Sequence, residues 1–169
     1  PLVYVYNQRT ELTKVPEPIL LNNALPLSPM NQVAMLTGYI NPAERYIADP
    51  NQDVVYGLGY LSLEKEPVVI QVPDFGDRFW TVPVYDARTD QISELGQQYG
   101  TKPGFYMVVG PNSTGATPAG IAGVVRSTTD FAVTVRFPAR TRAGEPSSMA
   151  STCVPDAIRP PAFSIAAAS

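Results

Sequence analysis

Four aspartates, Asp53, Asp74, Asp77 and Asp86, lie within a short span and are the residues best suited to do chemistry. Two carboxyl groups held about 5–9 Å apart across a cleft can run glycoside-type hydrolysis, one as acid and the other as base or nucleophile. The chain contains no histidine. It therefore holds no Ser-His-Asp or Cys-His relay of its own, and it lacks the commonest zinc and haem ligand. The single cysteine, Cys153, excludes an internal disulfide and any multi-cysteine metal site. No metal and no cofactor are expected, so hydrolysis would rest on carboxylates or a lysine base.

The aspartates are not equivalent. Asp74 and Asp77 flank Phe75-Gly76, a compact turn in which aspartates bond nearby amides and glycine takes positive φ. Asp86 shares a strand face with Arg78, Trp80, Val82 and Val84, so its plainer role is a bond to Arg78 or another arginine. Asp53, two residues after Asn51 at the mouth of a glycine-containing strand, is the first choice for a functional carboxylate. The acidic series Asp86, Asp90, Glu94 would stack on one face of a helix but has neither the ligand density nor the glycine of a calcium loop. Asp74-Phe75-Gly76 spells the kinase magnesium triplet without its companion loops, and Gly57-Leu58-Gly59 starts a dinucleotide fingerprint inside a strand; both are discarded.

Aromatic residues are grouped in the same region. Tyr56, Tyr60, Phe79, Trp80, Tyr85 and Tyr106 read either as core or as the lining of a pocket for a small apolar or sugar-like ligand. The candidate ligand-binding set is Asn51, Asp53, Tyr56, Tyr60, Arg78, Trp80 and Asp86.

The elements that must position these residues lie between Pro50 and Asp86. Val54 to Ser62 alternates, with Val54, Tyr56, Leu58 and Tyr60 on one face and Val55, Gly57, Gly59 and Leu61 on the other. The two glycines leave a trough where a backbone, a large side chain or a ligand can come close. Val68 to Val72 reads as a strand buried on both faces. Arg78 to Asp86 returns, with an edge or bulge at Pro83. The three runs predict an antiparallel meander.

Asn51-Gln52-Asp53-Val54-Val55-Tyr56, Glu66-Pro67-Val68-Val69, Val72-Pro73-Asp74, Gly76-Asp77-Arg78-Phe79-Trp80 and Tyr85-Asp86-Ala87 together resemble the bacterial domain of unknown function 1254. Gly104 to Pro111, Pro118 to Ile121 and Arg126-Ser127 extend the resemblance, which spans roughly residues 1–136. It implies a mostly β domain, often exported or periplasmic and paired with a second uncharacterised domain, 1214. It carries no established activity and supplies no catalytic residues. In such proteins the Pro1-Leu2-Val3-Tyr4 run belongs to a helix already under way, which suggests a fragment or a processed chain.

The whole chain has 169 residues and a net charge of −3. That length suits one domain with a usable core. The acidic balance argues against nucleic acid as a partner, and no apolar run is long enough to span a bilayer. Pro1 to Leu12 can end a helix, which Val15-Pro16-Glu17-Pro18 would stop; Leu20 to Met30 reads as irregular, and Asn31 to Tyr39 as a helical turn or two. Arg45 to Ile47, Phe105 to Val109 and Ala122 to Arg126 read as strands. Asn112-Ser113-Thr114 is formally an N-glycosylation acceptor, of no meaning in a bacterial chain. Phe131, Val133, Val135 and Phe137 alternate with Ala132, Thr134 and Arg136 in an amphipathic strand. From Pro138 to Ser169 the composition is that of a disordered tail, either a linker or an out-of-frame reading. The expected organisation is a β domain over 1–137 and a tail over 138–169. The fold class is an antiparallel β-sandwich or jelly-roll-like domain with a short N-terminal helical segment. Two functions follow: a ligand-binding or scaffold module of a two-domain protein, or a carboxylate-dependent hydrolase completed by residues outside this chain.

Overall fold

The computed structural model describes residues 2–138, a mainly β fold of ten strands behind one short helix. Cys153 and the proposed tail beyond Pro138 lie outside the described residues. Helix α1 (Leu2–Asn7) runs into a wider π turn, Gln8–Leu12, and the two prolines that follow stop it. Strands β1 (Ile19–Leu21) and β2 (Leu25–Leu27) form an antiparallel hairpin in what reads as an irregular connection. Asn22 and Asn23, at φ 50° and 56°, turn it, and the Ala24 amide donates to the Leu21 carbonyl at 3.1 Å. Asparagine tolerates the left-handed region that a twist-matched hairpin turn demands.

The remaining strands are β3 (Val33–Met35), β4 (Gly57–Ser62), β5 (Val68–Val72), β6 (Trp80–Thr81), β7 (Val84–Asp86), β8 (Gly104–Val109), β9 (Ile121–Arg126) and β10 (Phe131–Pro138). One sheet has the order β3-β4-β10-β6, with β7 also on β10; the other is β5-β8-β9. Strand β10 is the hub: Ala132 faces Leu61 of β4 on one side and Asp86 of β7 on the other. All these ladders are antiparallel except β8–β9, which is parallel.

The meander is therefore corrected. Strands β4 and β7 flank β10, and β5 crosses to the second sheet. Alternation fixes which face of a strand is buried but not which strand lies beside it. Strand β5 is also not buried on both faces: Val68, Ile70 and Val72 point inward while Gln71 is exposed. Asn31 to Tyr39 supplies β3 instead of helical turns, and Arg45 to Ile47 is a bend, not a strand. After a turn at Ala87-Arg88, where the Thr89 amide donates to the Asp86 carbonyl at 3.0 Å, the chain runs back, bridging Tyr85 to Gln91 and Thr81 to Gly96 before a 3-10 turn at Gln97–Tyr99. The acidic residues there share no helical face.

Two apolar clusters hold the fold. The larger joins the sheets: Leu61, Trp80, Val84 and Ala132 from one meet Val68, Ile70, Tyr106, Val108 and Val125 from the other. The smaller covers the opposite face of the β10 sheet, where Leu27, Tyr60 and Phe131 pack with Leu12, Val15 and Leu21 of the N-terminal segment. Strand β10 is consequently not amphipathic in the expected sense. Phe131 and Val133 serve the smaller cluster, while Ala132 and Thr134 on the other face are also fully buried. Thr134 tolerates that burial because its hydroxyl donates to the Pro83 carbonyl at 3.3 Å.

The break expected at Pro83 is present, splitting β6 from β7. Proline brings no N–H to the ladder, and Ser93 repairs the gap. Its buried hydroxyl accepts from the Val84 amide at 2.8 Å and donates to the Val82 carbonyl at 3.1 Å. The Pro83 carbonyl meanwhile accepts from the Val135 amide at 3.1 Å.

Candidate functional site

The register of β10 sorts the candidate residues into two ends of one sheet. At the end where Gly57 faces Arg136 and Trp80 faces Pro138 stand Asn51, Asp53, Tyr56, Arg78 and Trp80. At the other end, near Phe131, are Tyr60 and Asp86. These two occupy opposite faces: Tyr60 belongs to the smaller cluster, while Asp86 lies on the face of Val84 and Ala132.

Asn51, Asp53 and Tyr56 form a locally bonded corner. The Asn51 amide donates to the Tyr56 hydroxyl at 2.7 Å, and the Asn51 Oδ1 accepts from the Asp53 amide at 2.8 Å. Asn51 thus uses its short side chain to fold the backbone back on itself, which leaves Asp53 exposed at the mouth of β4. The Tyr56 carbonyl then accepts from the Leu36 amide at 2.8 Å, tying the corner to the end of β3.

Trp80 is 5 % exposed, with its ring 5.2 Å from that of Phe75. Its neighbour Phe79 turns outward. Tyr60 stacks on Phe131 at 6.0 Å, and burial, with a smaller push from the Tyr4 phenol, raises its hydroxyl pKa well above the ordinary tyrosine value. Tyr106 is buried in the larger cluster and donates from its hydroxyl to the Lys102 carbonyl at 2.8 Å. The aromatic set is thus divided between two cores and the surface.

The carboxylates have separate roles. Asp74 Oδ1 accepts from the Gly76 amide at 2.8 Å, which is the turn role expected for it; Gly76 takes φ 59°. Asp77 is exposed. Asp86 is 3 % exposed and accepts from the Arg88 amide at 2.8 Å, the Asp90 amide at 3.1 Å and the Thr128 hydroxyl. Arg78 is not its partner, since the Arg78 Nε donates to the Phe75 carbonyl at 3.1 Å. Arg88 contributes instead, chiefly through its backbone amide and least through its charge.

Burial pushes the Asp86 carboxyl up, but the Thr128 hydroxyl, the two amides and the Arg88 charge outweigh it and hold the pKa below the ordinary value. A carboxylate with a depressed folded-state pKa contributes stability that is fully present above the unfolded value, about 3.9, and lost as pH falls through the folded value. Asp86→Asn should therefore cost about 1–2 kcal/mol at neutral pH, because one amide N–H₂ now faces donors. It should also flatten the acid limb of stability below about pH 4. Chemical denaturation of both proteins between neutral pH and pH 3 measures this; parallel acid limbs would show that Asp86 is not the group titrating.

Sequence reasoning missed Thr128 and its neighbour Thr129, whose hydroxyl accepts from the Ala87 amide at 3.0 Å. The run Ser127-Thr128-Thr129-Asp130 is turn chemistry, rich in hydroxyls that seek nearby backbone, and that was the available signal. No helix among the described residues is long and apolar enough to cross a membrane. Among the same residues, no group of three or more histidine, cysteine, aspartate or glutamate side chains is placed to hold a metal ion.

No curated protein matches this chain. Among solved structures it is similar to the VPA0106 protein from Vibrio parahaemolyticus, with a TM-score of 0.59 and 22% identity, over 83% of this chain and 30% of that one. The likeness is one of fold, and the chain spans less than a third of the length of that structure. The family described as a protein of unknown function (DUF1254) matches residues 30–150, a span that starts later and runs further than the motifs suggested. Covering well over half of the sequence, that match places the chain in the DUF1254 family.

Proposed function

We propose that this chain is a small-molecule-binding or scaffold module that works within a larger, two-domain protein. The observation that carries this reading is the employment of its carboxylates. Asp74 and Asp86, two of the four candidate carboxylates, spend oxygens on backbone amides and, for Asp86, a threonine hydroxyl. The partners of Asp86 hold its pKa below the ordinary value and orient it for structure, whereas a general acid needs a raised pKa and an open lone pair. Asp53 is exposed at the sheet end that also carries Asn51, Tyr56, Arg78 and Trp80, and Asp77, beside Arg78, is exposed as well. The much longer structure of similar fold supports the two-domain part of the reading, as does the resemblance to proteins carrying a second domain. An exported or periplasmic location is part of the same proposal and rests on that resemblance alone.

The test is thermal unfolding of the full chain against a panel of neutral small molecules and simple sugars. A ligand at 100 times its Kd should stabilise the fold by about 2.7 kcal/mol. The expected result is a shift that Asp53→Asn or Arg78→Ala weakens. Hydrolysis of a substrate, abolished by Asp53→Asn, would replace this reading with the carboxylate-dependent enzyme.

A further inference from the structure

Strand β6 exposes a surface that neither core uses. Phe79 precedes it and is 45 % exposed; Trp80 turns inward, and Thr81 turns outward again. Alternation therefore puts Phe79 and Thr81 on one face. Thr81 bridges antiparallel to Gly96, and the 3-10 turn Gln97–Tyr99 that follows packs against β6. Within that turn the Gln98 amide nitrogen donates to the Thr81 hydroxyl at 3.3 Å, and Tyr99 is 47 % exposed. Two exposed aromatic residues thus lie on the same two segments as an amide and a hydroxyl already in contact.

We propose that Phe79, Thr81, Gln98 and Tyr99 form a stacking platform for a neutral carbohydrate. The chemistry selects that class. A pyranose has an apolar C–H face that lies against an aromatic ring, and a rim of hydroxyls that need both donors and acceptors. The Thr81 hydroxyl already donates to the Leu95 carbonyl at 3.2 Å and accepts from Gln98, so the Gln98 amide, with its second N–H and its Oε1, supplies both, and none of the four residues is Asp, Glu, Lys or Arg. An anionic or cationic ligand would find no counter-charge among them. An aliphatic partner would leave the amide and hydroxyl desolvated without gain. The proposal rests on the binding reading above and names its ligand class, on the outward face of the strand that carries Arg78 and Trp80.

Native electrophoresis of the full chain through gels containing soluble β-glucan, xylan, galactomannan or dextran tests it against plain gels. At least one polysaccharide should retard the protein. Phe79→Ala and Tyr99→Ala should each raise the apparent Kd by about tenfold, with unchanged circular dichroism, since both side chains are open to solvent. No retardation in any gel, or retardation untouched by both substitutions, overturns the platform. In the second case the protein still binds sugar, so the binding reading survives and only the placement is lost.

Discussion

Trp80→Ala should sharply lower the melting temperature of the chain. The indole is 5 % exposed, lies against Phe75, and belongs to the cluster that joins the two sheets. Truncating a buried tryptophan costs about 3–5 kcal/mol through lost transfer energy and the cavity left behind. A domain has only about 5–15 kcal/mol in total. The loss also falls where β6 is only two residues long and the ladder is broken at Pro83, so little else holds that segment to β10. Trp80→Phe should recover much of the loss, because an aromatic ring still meets Phe75. Circular dichroism melts of the three proteins decide it. In the parent, the indole, the only one in the chain, should emit at short wavelength and resist acrylamide. Efficient quenching, or an alanine variant that melts with the parent, would show that Trp80 lines an open site.

That packing was partly legible in the sequence. The alternation Arg78, Trp80, Val82, Val84, Asp86 named an inward face, and Trp80, Val82, Val84 and Asp86 are all buried. Pro83 announced its own interruption, and Asp74-Phe75-Gly76-Asp77 announced its turn, because proline and glycine act through local sterics that travel with the residue. The partner of each strand was not legible. Strands β4 and β5 are separated by only a short charged turn, which suggests a hairpin, yet β5 belongs to the other sheet. What decides between those outcomes is which apolar faces meet across the core, a property of the whole chain. For the same reason the aromatic residues looked like one group and are several. Tyr60 and Trp80 alternate inward on strands of one sheet, but they serve opposite faces of it. Ser93 was invisible for a different cause. A hydroxyl that completes a distant backbone bond leaves no pattern in its own neighbourhood.

Gly59→Val should destabilise the fold at the top of the range of about 1–3 kcal/mol that overpacking costs, or beyond it. The glycine trough expected on β4 exists, and the protein itself occupies it. A Cβ at position 59 would sit 2.8 Å from the Gln32 carbonyl oxygen, 2.8 Å from Val33 Cγ2 and 3.3 Å from Thr134 Cγ2. Val33 and Thr134 are its register partners on β3 and β10, so both flanking strands close over the same point. The valine could move aside by changing rotamer. The Gln32 oxygen belongs to the backbone at the entry to β3 and can retreat only if that strand shifts. Because β3 is held at its two ends, by the Asn31 amide on the Tyr60 carbonyl and the Leu36 amide on the Tyr56 carbonyl, each at 2.8 Å, such a shift breaks bonds on both sides. Gly59→Ala should already show most of the penalty, because the first carbon makes the clash, and the two further methyls of valine should add less. Urea denaturation of the parent, the alanine variant and the valine variant measures the steps. If alanine proves neutral and only valine costs, β3 yields easily, and the trough has room for a side chain after all.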